Sequence, residues 1–316
     1  MKLRTLISSA IAMSFAAMVM SSISLQAKDP GAPATEQVRM TVSASVEGGK
    51  RMPMIEKEDI IVKKGKVRLQ VTGWAPAQGD RAGLELFILI DDASASSLGS
   101  QLSDLRAFIN AQPSTTSVGV GYARNGTVQI VQNFTADHAQ AANALRLPLG
   151  SSGAFGSPYL SVVDLMKRWS GSQNRREIVM VTDGIDRAGR GRNALLNPDV
   201  DRAADVAQRT GTIIHTMYTP GVGHWRRNFW QGTYGQNGLA KLSSATSGES
   251  FFLGLQAPVS FQPYLDQLQT ILDNQFLLSF TVKPEKKAGF QSVSISTEVA
   301  GVDLNAADAV WVPAAK

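Results

Sequence analysis

Short polar segments follow two strongly apolar stretches of this sequence, and their side chains are of the kinds that bind metal ions. Asp92, Ser94 and Ser96 alternate just after the apolar run Leu84–Ile90, and Asp183 follows a second such run. If both runs are parallel strands, their carboxyl ends meet at one edge of a sheet, where open α/β proteins place ligands. Carboxylate and hydroxyl oxygens are hard ligands that suit Mg²⁺ or Mn²⁺. The spacing therefore predicts a site for a divalent cation.

A further hydroxyl is expected at the same edge. Ser157 directly precedes the helix candidate that starts at Pro158, and Ser152 is the alternative donor. The three loops together would form an open octahedral site with room for water or an outside ligand. A role without metal is open for the first loop, because Ser96 or Ser97 also suits the N-cap of the helix that follows.

The elements that position these residues are an alternation of strand and helix patterns from residue 84 to residue 275. Near-continuous apolar runs are typical of strands buried on both faces of a parallel sheet, and amphipathic segments lie between them. We therefore expect an α/β fold with a doubly wound, Rossmann-like sheet. The pair Asn125-Gly126 between two strand candidates predicts a hairpin, so one edge strand is expected to be antiparallel.

The segments that flank this region have a different pattern. Within residues 28–80 and 276–316, short stretches such as Val38–Val46 alternate apolar and polar side chains, which is the period of a strand. We expect the two segments to pack together as a small β-sandwich, with the domain at residues 84–275 inserted in it or flanked by it.

The first 27 residues have the layout of a secretory signal peptide. Lys2 and Arg4 precede a mostly apolar stretch from Leu6 to Met20, and small residues lead to Ala27. Serines interrupt the stretch, which favours cleavage over a retained membrane anchor. Without Lys2 and Arg4 the net charge falls from +5 to +3, which does not indicate nucleic-acid binding, and the absence of cysteine excludes disulfides. We expect an exported protein, periplasmic or secreted, with no transmembrane segment in the mature chain.

The arrangement resembles a von Willebrand factor type A (VWA) domain with its metal-ion-dependent adhesion site (MIDAS), across about residues 84–275. The wider layout is similar to that of secreted bacterial proteins with this domain. The resemblance implies Mg²⁺ at the site, bound directly by the hydroxyls and often through water by the aspartates. It also implies that an acidic side chain of a partner completes the coordination. The matching residues are Asp92, Ser94 and Ser96 for the family's Asp-x-Ser-x-Ser, Ser157 where threonine is usual, and Asp183 for the distal aspartate; Ala95 replaces a common glycine.

A basic and aromatic rim is expected beside this site. Trp225, Arg226 and Trp230 lie in a loop after a strand candidate, and Arg187 lies in the loop after Asp183. Arginine and aromatic side chains are enriched at protein interfaces, and the positive charge fits an acidic protein ligand. In the alternative interpretation, the aromatic side chains cover the sheet and the arginines are solvated.

These observations predict an exported binding protein that uses a Mg²⁺-dependent site to recognise an acidic protein ligand. The alternative is a metal-independent structural scaffold of an envelope complex. An enzyme is not expected, because the sequence has no Walker loop, no Gly-x-Ser-x-Gly and no His-Glu-x-x-His motif. Metal-assisted hydrolysis by Asp92 and Asp183 would lack a general base. His215 lies within an apolar run and is expected in the core.

Overall fold

The computed structural model describes residues 35–49, 51–150, 156–187, 197–221, 229–251 and 258–315. The predicted signal peptide of residues 1–27 lies outside these ranges, as do Ser152, Trp225, Arg226 and the side chain of Trp230. Within the ranges, no helix is long and apolar enough to cross a membrane.

Strands and helices alternate through the middle of the chain, and shorter strands precede and follow them. The strands are β1 (Glu36–Val46), β2 (Ile60–Lys64), β3 (Val67–Arg68), β4 (Val71–Pro76), β5 (Leu84–Asp91), β6 (Thr116–Arg124), β7 (Thr127–Thr135), β8 (Arg175–Thr182), β9 (Thr212–Tyr218), β10 (Ser250–Phe251), β11 (Gln275–Val282), β12 (Gly289–Ser292), β13 (Ser294–Thr297), β14 (Val302–Asn305) and β15 (Ala309–Val312). The α-helices are α1 (Leu102–Asn110), α2 (His138–Asn143), α3 (Pro158–Arg168), α4 (Pro198–Thr210), α5 (Phe229–Ala245) and α6 (Gln262–Asp273).

The central sheet has the strand order β10-β9-β8-β5-β6-β7 and is parallel except for β7. The side chains of β5 alternate between two cores. Leu86 and Ile88 pack with α1, α2 and α6, whereas Phe87 and Leu89 pack with α3, α4 and α5. Because helices cover both faces, the side chains of the strand interior are mostly apolar. The predicted doubly wound α/β fold is confirmed.

The edge strand β7 joins the sheet through the hairpin that the sequence predicts. Arg124 lies opposite Thr127 in an antiparallel pair. The two residues between them have positive φ angles, 53° for Asn125 and 75° for Gly126. A two-residue type I′ turn requires this conformation, and Asn-Gly is the pair that adopts it most readily.

The flanking segments fold together beside the α/β domain. β11 pairs with both β1 and β4, with Phe276 opposite Pro76, and β14 extends the same sheet. A second sheet contains β13, β2 and β3, and a third contains β12 and β15. Val42, Ile60 and Leu278, from both ends of the chain, share one apolar core. The domain boundaries near residues 80 and 275 stay a prediction.

Candidate functional site

The candidate site lies at the carboxyl edge of the central sheet, where the strand order changes direction. β5 pairs with β6 on one side and with β8 on the other. Asp91 is the last residue of β5, and Asp183 directly follows Thr182 at the end of β8. Ligands of open α/β sheets bind at such a switch point, outside the carboxyl ends of the strands.

One guanidinium joins two buried carboxylates at this point. Arg187 Nη2 donates to Asp183 Oδ2 at 2.7 Å, and its Nη1 lies 3.4 Å from Asp91 Oδ2. Asp91 also accepts hydrogen bonds from Thr182 Oγ1 at 2.7 Å and from the backbone N–H of Ala93 at 2.9 Å. Asp91, Arg187 and Asp183 therefore form a single ion-pair network across the ends of β5 and β8.

Burial and charge oppose each other in this network. Burial raises the pKa of the Asp91 carboxyl above its usual range, Arg187 lowers it, and the nearby Asp183 raises it further. Burial alone would lower the pKa of Arg187, but Asp183 and Asp91 stabilise the guanidinium, and its pKa is raised overall. The arginine is thus held in its charged form by the two carboxylates that it contacts.

Asp92 contacts a different arginine. Its Oδ1 and Oδ2 accept hydrogen bonds from Arg146 Nη1 and Nη2, at 2.7 and 3.1 Å. The backbone N–H of Leu149 donates to Asp92 Oδ1 at 3.1 Å, and that of Gly150 donates to the Asp92 carbonyl at 3.0 Å. The guanidinium lies 3.7 Å from the ring centre of Tyr122. The hydrogen bond with Asp92 raises the pKa of Arg146. Asp92 therefore anchors the loop that follows α2.

Two of the predicted hydroxyl donors are buried close to the Asp91–Arg187–Asp183 network. Ser94 forms an isolated bridge with Gly221, where a Cβ would overlap both Asp183 Oδ2 and Arg187 Nη2. Ser157 directly precedes α3, and its side chain makes no capping hydrogen bond; the carbonyl of Gly156 accepts a hydrogen bond from the Arg187 N–H at 3.1 Å. Neither serine Oγ has a hydrogen-bond partner in the part of the chain that the structure describes.

The remaining residues of the first loop are placed differently. Ser96 is exposed and begins a 3₁₀ turn that runs to Ser100. Ala95 has an extended backbone with φ −67° and ψ 149°, so this loop does not need the positive φ that a glycine provides.

The side chains at this site can be compared with those that a divalent cation needs as ligands. The hydroxyls of Ser94 and Ser157 fit such an ion, because they are buried oxygens without a partner in the described ranges. The carboxylates do not fit it, because Arg187 engages Asp183 and Asp91 and Arg146 engages Asp92. Among the residues that were placed, no group of three or more His, Asp or Glu residues is arranged to hold a metal. The predicted Mg²⁺ or Mn²⁺ ligation therefore stays a prediction, and the arrangement does not support it.

Sequence reasoning passed over two residues of this site. Asp91 directly precedes Asp92, which is the aspartate of the Asp-x-Ser-x-Ser motif. In the structure it is Asp91, and not Asp92, that shares Arg187 with Asp183. Arg146 lies in a separate loop with no local motif to mark it. Arg187 is expected at the rim, but its guanidinium lies inside the site between two carboxylates.

His215 forms a buried hydrogen bond with Glu177, away from these residues. Its Nε2 lies 2.8 Å from Glu177 Oε2, and its Nδ1 accepts a hydrogen bond from the Glu249 N–H at 3.0 Å. Since Nδ1 is an acceptor, Nε2 carries the proton that is shared with Glu177. The core position that the sequence predicts for His215 is confirmed.

No protein-family model matches the sequence, and no curated protein matches it. Solved structures of similar fold include a von Willebrand factor type A protein from Catenulispora acidiphila, with 8% identity, coverage of 92% of this chain and 76% of that chain, and a TM-score of 0.44. BatB from Bacteroides thetaiotaomicron has 11% identity, coverage of 60% and 97%, and a TM-score of 0.42. The von Willebrand factor domain of the type V pili tip protein Mfa5 from Porphyromonas gingivalis has 11% identity, coverage of 60% and 95%, and a TM-score of 0.42.

Proposed function

We propose that this chain is an exported binding protein of the VWA type, which recognises an acidic protein partner at the carboxyl edge of its central sheet. The Asp-x-Ser-x-Ser spacing at the end of a central strand of a doubly wound sheet supports the type. The signal-peptide pattern of residues 1–27 supports export to the periplasm or the medium.

The observation that carries the proposal is the composition of the loop that Asp92 anchors. Leu147 and Leu149 are 50% and 53% exposed, and they closely follow Arg146, whose side chain is 34% exposed. Exposed apolar side chains next to a partly exposed arginine have the composition of a protein interface. The ion pair with Asp92 fixes the loop before a partner binds, which lowers the entropic cost of association.

Catalysis is not part of the proposal. Asp91, Asp92 and Asp183 are each engaged by a guanidinium, so none of the three is placed to take a proton from an outside substrate. The edge has the features of a binding surface, with fixed charges and exposed apolar groups.

A photo-reactive amino acid at Leu147 tests the proposal in the full chain, expressed in its native cells. The matched control is the same group at Val67 in β3, which is 64% exposed but belongs to the flanking sheets. We expect a protein crosslink at position 147 that weakens in high salt, because the partly exposed guanidinium of Arg146 would attract an acidic partner and is screened by ions. A crosslink at position 67 and none at 147 would instead support the metal-independent scaffold of an envelope complex.

Mg²⁺-dependent adhesion through the MIDAS-like residues is a second candidate function. The hydroxyls of Ser94 and Ser157 favour it, because neither has a hydrogen-bond partner among the residues that the structure describes. Under this candidate, EDTA abolishes the crosslink at position 147 and added Mg²⁺ restores it. Under the first proposal, the crosslink is the same in EDTA and in Mg²⁺.

A further inference from the structure

We propose that the guanidinium of Arg187 takes the place of a metal ion, so that the wild-type site is built without one, and that removing this guanidinium creates a divalent-cation site. The donors of the created site are Asp91, Asp183, Ser94 and Ser157. This inference concerns the same edge of the sheet but does not depend on the identity or the existence of a partner.

The first argument is the position of the charge. The Arg187 side chain is only 12% exposed and lies within 3.4 Å of one oxygen of each of two buried carboxylates. Two buried carboxylates that face each other need a cation between them, since burial and like charge both disfavour the ionised pair. Arg187 provides that cation from within the chain, four residues after Asp183.

The second argument is that Arg187 is held in place from both ends. Its backbone N–H donates to the Gly156 carbonyl at 3.1 Å, and its Nη1 contacts the Ile185 carbonyl at 3.3 Å. A divalent ion that enters must displace this side chain from a buried site and leave its charge without the two carboxylates. The pairing therefore competes directly with metal binding.

The third argument is the chemistry that remains when the guanidinium is removed. Asp91 and Asp183 would both lose the guanidinium that contacts them, and the two buried serine hydroxyls have no hydrogen-bond partner in the described ranges. Two carboxylates and two hydroxyls are hard oxygen donors, and water completes the coordination of Mg²⁺ or Mn²⁺. Asp92 is excluded from this set because Arg146 engages both of its oxygens.

Mn²⁺ binding to the purified mature chain tests the inference, with free Mn²⁺ measured by electron paramagnetic resonance. We expect wild type and the matched control Arg187→Lys, which retains a cation, to bind no Mn²⁺ at this site. Arg187→Ala should bind one equivalent of Mn²⁺, and adding Asp183→Asn should abolish this binding. In thermal unfolding, Arg187→Ala should be less stable than wild type in EDTA and recover in Mn²⁺ or Mg²⁺.

Two results would overturn the inference. One is stoichiometric Mn²⁺ binding by wild type that Asp183→Asn removes, because the arginine would then not exclude the ion. The other is a folded Arg187→Ala chain that binds no Mn²⁺. If Arg187→Ala does not fold in EDTA, Arg187→Gln carries the same test, and wild-type binding is measured in either case. Because the readout is metal binding, its failure is distinguishable from a missing crosslink at position 147.

Discussion

The ion pair between Arg146 and Asp92 gives the sharpest prediction about this fold. Arg146→Met removes the charge but keeps an unbranched side chain to pack on the Tyr122 ring. It leaves the Asp92 carboxylate, whose side chain is 1% exposed, without its two charge-assisted hydrogen bonds. The loop with Leu147 and Leu149 loses the contact that fixes it.

The expected cost follows from which partner remains buried. Breaking a buried ion pair by removing one partner typically costs about 3–5 kcal/mol. We expect about 3 kcal/mol here, at the low end of that range, because the Leu149 N–H still donates to Asp92 Oδ1. Asp92→Asn should lower the free energy of unfolding by less, about 1–2 kcal/mol, because the arginine that loses its partner is partly exposed and water can solvate it.

Urea unfolding of wild type, both single variants and the double variant gives the coupling between the two side chains. Because each single change leaves the other group unsatisfied, the double variant should be more stable than the sum of the two costs predicts, by about 2 kcal/mol. A cost below about 1 kcal/mol for Arg146→Met would refute the reasoning, because that is the value of an exposed pair.

Three further predictions concern single contacts, and urea unfolding measures each of them. Gly221→Ala should cost about 1–3 kcal/mol, because the new Cβ would overlap Asp183 and Arg187. The control Gly171→Ala should be nearly neutral, because its Cβ would meet no atom within 4 Å. Equal losses of stability in the two variants would contradict this steric argument. His215→Ala should cost about 1–3 kcal/mol, because it leaves the fully buried Glu177 carboxyl without its hydrogen-bond donor, and adding Glu177→Met, which removes that carboxyl, should recover part of the loss. Ser94→Ala should be neutral or stabilising, because its buried hydroxyl has no partner in the described ranges; a large loss would show that the hydroxyl has a structural role.

The sequence predicts where the site lies but not which aspartate is central to it. Apolar runs that end in polar residues place the carboxyl edge correctly, because burial on both faces leaves a simple pattern. The choice between Asp91 and Asp92 depends on the pleat, since adjacent residues of a strand point to opposite faces. Asp91 is the last residue of β5 and still pairs with Ala123 of β6, so its side chain continues the alternation of the strand.

The arginines are harder to predict for a related reason. Arg146 contacts Asp92 because the loop that follows α2 reaches the end of β5, and no local sequence pattern predicts a contact between residues so far apart in the chain. Arg187 lies close to Asp183 in sequence, but the local sequence is the same whether the arginine side chain is exposed or buried. Composition can therefore predict positive charge near the site, but not that the Arg187 guanidinium lies between two carboxylates.

The pairing of β4 with β11 has a consequence for the order of folding. β1 has its partners β11 and β14 far along the chain, and closing so long a loop by random search is slow. When the α/β domain folds, it brings the chain back so that Phe276 lies opposite Pro76, about 4.8 Å away in the hydrogen-bonding direction. The search that remains for β1 is then short. We therefore expect the α/β domain to fold before the sheets of the flanking segments, and a variant that slows its folding should also delay their assembly.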